Sequence, residues 1–208
     1  PSATIISGGL LGIFMAPYVS KLMAVIGEGI NLATQTSPLP MGILVSVIMG
    51  MILTLPISSA AIAISLGLSG LAAGASTVGC CAQMVGFAVM SYEVNGFGGL
   101  LSQGIGTSMI QVPNIIRKPI IWVPPTLAAA ILGPFSTLLF KMENSAVGAG
   151  MGSSGLVGQF ATFETMGPSA LPGIIILHFV LPALLTLAIY YPMKKRGLIK
   201  PDDLKLLT

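Results

Sequence analysis

One carboxylate and one imidazole in the second half of the chain are candidates for proton transfer, and we assign both as candidate catalytic residues. Glu164 ends a Gly- and Ser-rich segment, where its carboxylate could accept hydrogen bonds from hydroxyl groups or act as a general base. The alternative is a glutamate in an interfacial loop. His178, the only histidine, lies in an apolar run, where it could contact a ligand, shuttle a proton or simply bond a neighbouring helix. A lone histidine excludes a multi-histidine metal site, and we expect neither a metal nor another cofactor.

Two segments rich in glycine and hydroxyl side chains resemble each other at an offset of 46 residues, residues 104–110 and residues 150–156. Glycines would let the backbone approach a ligand closely, and the neighbouring hydroxyls could bind it. The alternatives are tight helix packing and capping of short helices. The candidate substrate-binding residues are Gln103, Gly106, Thr107, Ser108, Asn114, Gly152, Ser153, Ser154 and Gln159.

Basic residues follow the first of these segments and the last apolar run. Arg117 and Lys118 come just after Asn114, and five lysines and arginines cluster within residues 194–205. The Arg–Lys pair could attract a phosphate or an acidic partner surface. The alternative is the excess of basic residues that marks the cytoplasmic ends of membrane spans. On that rule, we expect the C-terminal tail in the cytoplasm.

The elements that must position these residues lie in a membrane. Residues 29–92 contain no Asp, Glu, Lys, Arg or His. Charged residues make up 7% of the chain and apolar residues 54%, whereas soluble domains spend roughly a quarter of their residues on charge. A helix that crosses the hydrocarbon core needs about 20 apolar residues. The sequence therefore predicts an all-α, polytopic transmembrane helical bundle.

Apolar runs and proline positions give the expected helical segments. These are residues 4–26, 41–55, 58–71, 72–92, 120–140 and 171–191, with a polar connector over residues 30–38. Pro56 separates the second segment from the third or bends one long helix. Residues 72–92 are dense in small side chains, which allow close helix approach in lipid, so we expect this helix inside the bundle.

Residues 94–116 and 143–169 are too polar for lipid-facing spans, and each precedes an apolar span that begins near a proline. Paired Gly- and Pro-interrupted segments are typical of binding sites in transporters. We predict two re-entrant Gly/Ser-rich hairpins within a single membrane domain over residues 1–208. That domain would comprise N-terminal apolar helices (1–93), two hairpin-plus-helix units (94–193) and a cytoplasmic tail (194–208).

Several function classes lack their motifs. The sequence contains no Walker loop, no GxSxG and no HExxH, which argues against an ATPase, a lipase or a metalloprotease. The adjacent Cys80 and Cys81 lie in an apolar run, and we interpret them as inert buried thiols.

Three long motifs carry a family resemblance. Residues 103–119 (QGIGTSMIQVPNIIRKP), 121–127 (IWVPPTL) and 148–159 (GAGMGSSGLVGQ) resemble the membrane family of phosphotransferase-system IIC proteins that includes the perfringolysin O regulator. The similarity spans most of the chain and is most specific over residues 103–159. Members of that family are longer at the N-terminus, so the resemblance also implies further helices before residue 1.

The resemblance implies a homodimeric sugar permease of the bacterial cytoplasmic membrane. Such a component binds a sugar, presents it to a phosphorylated cytoplasmic IIB partner that is itself supplied by IIA, and releases the sugar phosphate. Enzymatic activity would arise only together with those partners. By the same resemblance, Glu164 best matches the glutamate that contacts the sugar, and His178 is the weaker candidate. Besides a carbohydrate and these proteins, we expect membrane lipid as a partner and no nucleic acid.

Three functions remain open at this point. The first is the sugar permease. The second is a membrane regulator that kept the scaffold and lost transport, and the third is a secondary transporter or channel that uses the same hairpins.

Overall fold

The computed structural model describes residues 2–206, with side chains from residue 16 onward. Pro1, Leu207 and Thr208, which end the predicted domain and tail, lie outside the described residues. The described chain is helical without a β-strand, and its one isolated bridge joins Gly70 and Asn144. This architecture confirms the predicted all-α class.

Eleven α-helices form the described chain. They are α1 Ser2–Thr36, α2 Pro38–Thr54, α3 Ser59–Leu66, α4 Gly70–Met90, α5 Tyr92–Leu101, α6 Val112–Arg117, α7 Val123–Pro134, α8 Ala146–Ala149, α9 Val157–Met166, α10 Leu171–Ile175 and α11 Leu181–Lys195. The π-helical segments are Ser102–Gly106, Phe135–Leu139 and Ile176–Val180. The 3-10 turns are Ser108–Gln111, Pro119–Trp122, Ser154–Leu156, Pro168–Ala170 and Pro201–Leu204.

Three continuous helical stretches among the described residues are long and apolar enough to cross a membrane. They are Gly70–Met90, Pro119–Leu139 and Pro168–Lys195, and Pro38–Thr54 is a shorter apolar helix. Their length and composition agree with the predicted multi-pass membrane protein. How deep the two polar hairpins lie in the bilayer stays a prediction.

Helix α4 forms the centre of the bundle, because 94% of its apolar stretch is buried. It packs against α2, α7 and α11. Small residues make this possible, because a Cβ added to Gly50 of α2 would lie 2.6 Å from the carbonyl oxygen of Gly79 in α4. The predicted interior helix is confirmed. Cys80 and Cys81 are buried free thiols in it, which agrees with their structural interpretation.

Helices α2 and α4 run in parallel, and α7 runs against them. Thr137, just beyond α7, donates a 2.8 Å hydrogen bond to the carbonyl of Pro38 at the start of α2. Ser46, further along α2, donates at 2.8 Å to Ala129 O in α7. Thr54, the last residue of α2, lies 3.4 Å from Gln83 Oε1. Helix α2 therefore ends beside the interior of α4, not at an end of the bundle.

Two ion pairs define one end of the bundle, which we call the tail end. Lys194 pairs with Glu93, and Lys118 Nζ lies 2.6 Å from Asp203 Oδ2. The basic residues after the first hairpin and those of the tail therefore lie at the same end, as the charge pattern predicted. The bridge at the first residue of α4, Gly70, marks the opposite end.

The polar connector expected over residues 30–38 is wrong, because α1 continues to Thr36. The hydroxyls of Thr34 and Thr36 donate back to the carbonyls of Ile30 and Leu32, at 2.7 and 3.1 Å, so these polar residues stay within the helix. Helix α2 does end before Pro56, since a residue that precedes proline favours extended backbone, and Leu55 adopts it. The short α3 then returns the chain to Gly70.

Candidate functional site

Three reversals of the chain meet beside the interior of α4. The first is the break between α2 and α3, residues 55–58. The second is the tip of the first hairpin, which comprises Tyr92–Arg117 and turns at residues 104–108. The third is the tip of the second hairpin, which comprises Ala146–Met166 and turns at residues 150–154.

Serine hydroxyls join the two hairpin tips. Ser153 Oγ donates a 2.6 Å hydrogen bond to Gly104 O, and Ser154 Oγ donates at 2.9 Å to Gly106 O. Gly152 lies against α4, where an added Cβ would come within 2.7 Å of Cys80 Cβ. These are the two repeated segments of the sequence, and the structure brings them into contact.

Asn144 fixes the base of the second hairpin. Its Nδ2 donates to Thr77 Oγ1 of α4 at 2.7 Å, and also lies 3.0 Å from Thr162 Oγ1 and 3.1 Å from Gly158 O, both in α9. Asn144 is buried, so these bonds replace water that it cannot reach. The outgoing limb of the hairpin is thereby held against the central helix.

A cavity of about 170 Å³, with both hydroxyl and apolar side chains in its lining, lies where the three reversals meet. Its lining residues are Leu53, Ile57, Ser58, Ser59, Ala60, Met84, Thr107, Met109, Gly150, Met151 and Ser154. None of these lining residues, all within the described chain, carries a charge. We call this space the central cavity.

Hydroxyl groups in the central cavity retain hydrogen-bonding capacity for a ligand. Ser58 Oγ accepts from Ala61 N, and Thr107 Oγ1 accepts from Met109 N, so both hydroxyl hydrogens remain free to donate. Ser59 Oγ donates to Gly150 O at 2.6 Å, and Ser154 Oγ also donates, so their lone pairs remain free to accept. The cavity thus presents two donors and two acceptors, all neutral.

A buried amide supports the wall behind the central cavity. Gln83 Oε1 accepts from Trp122 Nε1 at 3.0 Å, and Gln83 Nε2 donates to Thr126 Oγ1 at 3.1 Å. Thr54, 3.4 Å from the same Oε1, shares a 2.9 Å hydrogen bond with Ser108. This network connects α2, α4 and α7 to the first hairpin tip.

A larger groove of about 280 Å³ lies between α2 and the start of α7. Its lining is almost wholly apolar and includes Met51, Val123 and Leu127. It offers few groups to orient a polar ligand, so the smaller central cavity is the better candidate site.

Of the predicted binding residues, Thr107 and Ser154 line the central cavity. Four more lie at the hairpin tips, behind the residues that line the cavity: Gly106, Ser108, Gly152 and Ser153. Gln103 and Asn114 lie in the stem of the first hairpin and Gln159 in α9, and none of them lines the cavity.

His178 and Gln159 form a second buried polar cluster with Cys81. Gln159 Nε2 lies 3.3 Å from His178 Nδ1 and 3.4 Å from Cys81 Sγ. Within the described part of the chain, His178 Nε2 and Gln159 Oε1 have no partner. The histidine belongs to a π-helical segment, a distortion that is frequent at functional sites.

Glu164 is exposed on the last turn of α9 and does not line the central cavity. Its catalytic role stays a prediction, as does that of His178. Among the described residues no three or more His, Cys, Asp or Glu side chains gather as they would around a metal ion.

Sequence reasoning missed Ser58, Ser59, Gln83 and Asn144. Pro56 was a usable signal for the two serines, because a break inside an apolar run exposes backbone that polar neighbours must satisfy. Gln83 also stood out, as the largest polar side chain within a run of small and apolar residues.

The comparisons with known proteins agree with the architecture. The family model described as "Phosphotransferase system, EIIC" matches residues 1–206. No curated protein and no solved structure matches the chain.

Proposed function

Because this chain belongs to the EIIC family of the phosphotransferase system, and is thus a permease-type membrane component, we propose that its central cavity binds one neutral monosaccharide. The single observation that carries the proposal is the set of four uncharged hydroxyls in the lining of a small cavity. Ser58 and Thr107 have hydroxyl hydrogens to donate, and Ser59 and Ser154 have lone pairs to accept. A sugar ring offers matching hydroxyl groups on all sides.

Size and charge narrow the substrate class. Ligand pockets for drug-sized molecules span roughly 300–1,000 Å³, so a cavity of about 170 Å³ suits one sugar ring better than two. A uronic acid or an amino sugar would bring a charge that no lining residue pairs, so the lining suits a neutral sugar better.

The lining holds no His, Cys, Asp or Glu that could carry a phosphoryl group or activate one of its hydroxyls as a nucleophile. We therefore assign this chain the binding and presentation of the sugar, and assign phosphorylation to a cytoplasmic IIB partner that meets the tail end. Glu164 and His178 remain our candidates for proton transfer. Neither lines the central cavity: Glu164 lies on α9, and His178 contacts α9 through Gln159.

The remaining parts of the proposal concern the cell. We place the protein in the bacterial cytoplasmic membrane, as a homodimer with the tail in the cytoplasm. Arg117, Lys118 and the basic residues after residue 193 support that orientation by the positive-inside rule.

A binding measurement on the full-length chain in nanodiscs tests the proposal. We expect one member of a panel of radiolabelled neutral monosaccharides to bind, and Thr107→Val and Ser154→Ala to weaken binding about tenfold each by loss of one hydrogen bond. Ser169→Ala is the matched control, since this exposed hydroxyl bonds Met166 O outside the cavity. Failure of every sugar to bind would overturn the proposal.

Uptake into cells and proteoliposomes, with and without the IIB partner, separates the alternatives. Phosphorylation-coupled uptake supports the permease, whereas flux without any phosphoryl donor indicates a secondary transporter or channel. A regulator without transport predicts no uptake and a regulatory effect that survives Glu164→Gln.

A further inference from the structure

The segment that follows α11, residues 199–206, lies in a groove on the stem of the first hairpin. Asn95 donates from Nδ2 to Leu204 O at 2.8 Å and accepts from Leu206 N at 2.9 Å. Gln111 Nε2 donates to the same Leu204 carbonyl at 3.0 Å, and Asn114 Nδ2 donates to Lys205 O at 2.9 Å. Three side-chain amides thus bind the main chain of a short segment.

These amides are held in place by one another. Gln103 Nε2 donates to Ser91 Oγ at 2.7 Å, and its Oε1 accepts from Gln111 Nε2 at 2.9 Å. Gln111 Oε1 in turn accepts from Asn114 Nδ2 at 2.8 Å. Gln103 and Gln111 are fully buried with the segment in place, and the bonds that join the amides to one another use no atom of the segment. These bonds therefore orient the donors toward the segment. Preorganised donors are a mark of a binding site.

Two aliphatic side chains and one carboxylate give the groove its selectivity. Leu204 and Ile199 are fully buried in a cluster with Phe87, Ile121 and other apolar residues of the bundle. Asp203, just before Leu204, pairs with Lys118 at 2.6 Å. The groove therefore recognises an aliphatic residue followed, four and five positions later, by an acidic residue and a leucine.

We propose that this tail groove, lined by Asn95, Gln111, Asn114 and Lys118, is a peptide-binding site whose ligand is the chain's own segment 199–206, held so that it can be exchanged. The inference goes beyond the proposed function and does not depend on it. Exchange requires only the short segment after α11 to leave the groove. The Lys118–Asp203 pair is partly exposed and such pairs stabilise only weakly, so burial of Ile199 and Leu204 is the main force that holds the segment. The main-chain groups of the segment, once released, bind water instead.

The groove and the central cavity belong to the same hairpin. The stem residues Gln111 and Asn114 hold the segment, while Thr107 at the tip lines the cavity. The short 3-10 turn Ser108–Gln111 begins directly after Thr107 and ends at the groove residue Gln111. Occupancy of the groove thus restrains the stem. Release of the segment removes this one restraint on the tip, which Ser153 and Ser154 also bind.

A peptide in trans tests the site on the full-length protein. We use a fluorescein-labelled peptide of residues 198–206 and measure its anisotropy with the unaltered chain and with the Leu204→Asp variant, whose own segment can no longer fill the groove. We expect the peptide to bind the variant at least about tenfold more tightly, because an attached segment competes at an effective concentration in the millimolar range. A peptide that itself carries Leu204→Asp should not bind.

Equal affinity of the peptide for both chains, or equal affinity of the two peptides for the variant, would overturn the proposal. If Leu204→Asp does not fold, the milder Leu204→Ala gives the same comparison with a smaller difference.

Alkylation of an introduced cysteine tests the coupling to the cavity. Cys80 and Cys81 are buried, so a maleimide reports on Thr107→Cys. We expect labelling to accelerate severalfold when Leu204→Asp is added, and labelling of Ser169→Cys, an exposed control outside the cavity, to stay unchanged. Equal rates at residue 107 with and without Leu204→Asp would refute the coupling.

Discussion

Ser153 Oγ donates a 2.6 Å hydrogen bond to the carbonyl oxygen of Gly104, and with it the tip of the second hairpin is fastened to the tip of the first. The serine is fully buried and also lies 3.5 Å from Met84 Sδ in α4. The next residue, Ser154, makes a similar bond to Gly106 O but lines the central cavity. The two neighbouring serines therefore lie in different surroundings, one buried against α4 and one facing the central cavity.

The two serines predict opposite phenotypes when each is replaced by alanine. Ser153→Ala leaves a buried carbonyl without its donor and should lower the free energy of unfolding by about 1–3 kcal/mol. Ser154→Ala should cost less than about 1 kcal/mol, since water in the cavity can replace the lost bond, and should weaken sugar binding instead. Thermal unfolding in detergent micelles and ligand binding measure the two effects. Equal loss of stability in both variants would contradict the distinction.

Gly152 predicts a strict requirement for glycine at the second tip. Its φ is +53°, and an added Cβ would come within 2.7 Å of Cys80 Cβ. Gly155 is a matched control, with φ +54° and its nearest neighbour at 3.8 Å. Gly155→Ala should cost only the left-handed strain, about 1–2 kcal/mol, whereas Gly152→Ala should add about 1–3 kcal/mol of overpacking. Differential scanning fluorimetry of the two variants decides, and similar melting temperatures would refute the close contact with α4.

Much of this fold was predictable because lipid imposes simple rules on sequence. The long uncharged run over residues 29–92 and the small residues of α4 predicted a membrane bundle with α4 inside it, and both predictions are confirmed. The repeated Gly/Ser segments predicted a functional pair, and their tips do meet. These features depend on local composition, which the sequence displays directly.

The parts that the sequence did not reveal depend on partners distant along the chain. Asn114 and Gln103 are typical sugar-site residues, yet in the structure Asn114 donates to the carbonyl of Lys205, 91 residues further on, and Gln103 bonds Gln111 beside it. Ser59 contributes to the cavity only because Gly150, 91 residues further on, lies beside it. A single sequence does not show which distant residues lie close together. Residue type alone therefore assigns Asn114 and Gln103 to a sugar site.

Replacing Gln83 should change the tryptophan fluorescence, because Gln83 accepts a hydrogen bond from Trp122, the chain's single tryptophan. Gln83→Leu removes the acceptor of Trp122 Nε1 and should shift the fluorescence emission to shorter wavelength, with a loss of about 1–3 kcal/mol from the unpaired indole N–H. Thr126→Val is the control, since it removes the acceptor of Gln83 Nε2 and leaves the indole bond intact. An unchanged emission maximum in Gln83→Leu would show that this bond does not form in solution.

Docking of the tail should depend on pH through Asp203. Partial burial raises the pKa of this carboxyl, but the hydrogen bonds from Lys118 Nζ and from the Lys200 backbone outweigh it, so the pKa lies below its ordinary value of 3.8. A carboxyl whose pKa is lower in the docked segment than in the released one stabilises docking at pH values above the ordinary pKa. This stabilisation is lost as the pH falls through the lowered pKa. A spin label at Lys205→Cys, an exposed position whose side chain makes no hydrogen bond in the described structure, should be immobile at neutral pH. Its mobile fraction should rise modestly as the pH falls below 3.8, because burial of Ile199 and Leu204 still holds the segment. The same label in an Asp203→Asn background should show much less change with pH, and an equal change in both would assign the transition to another group.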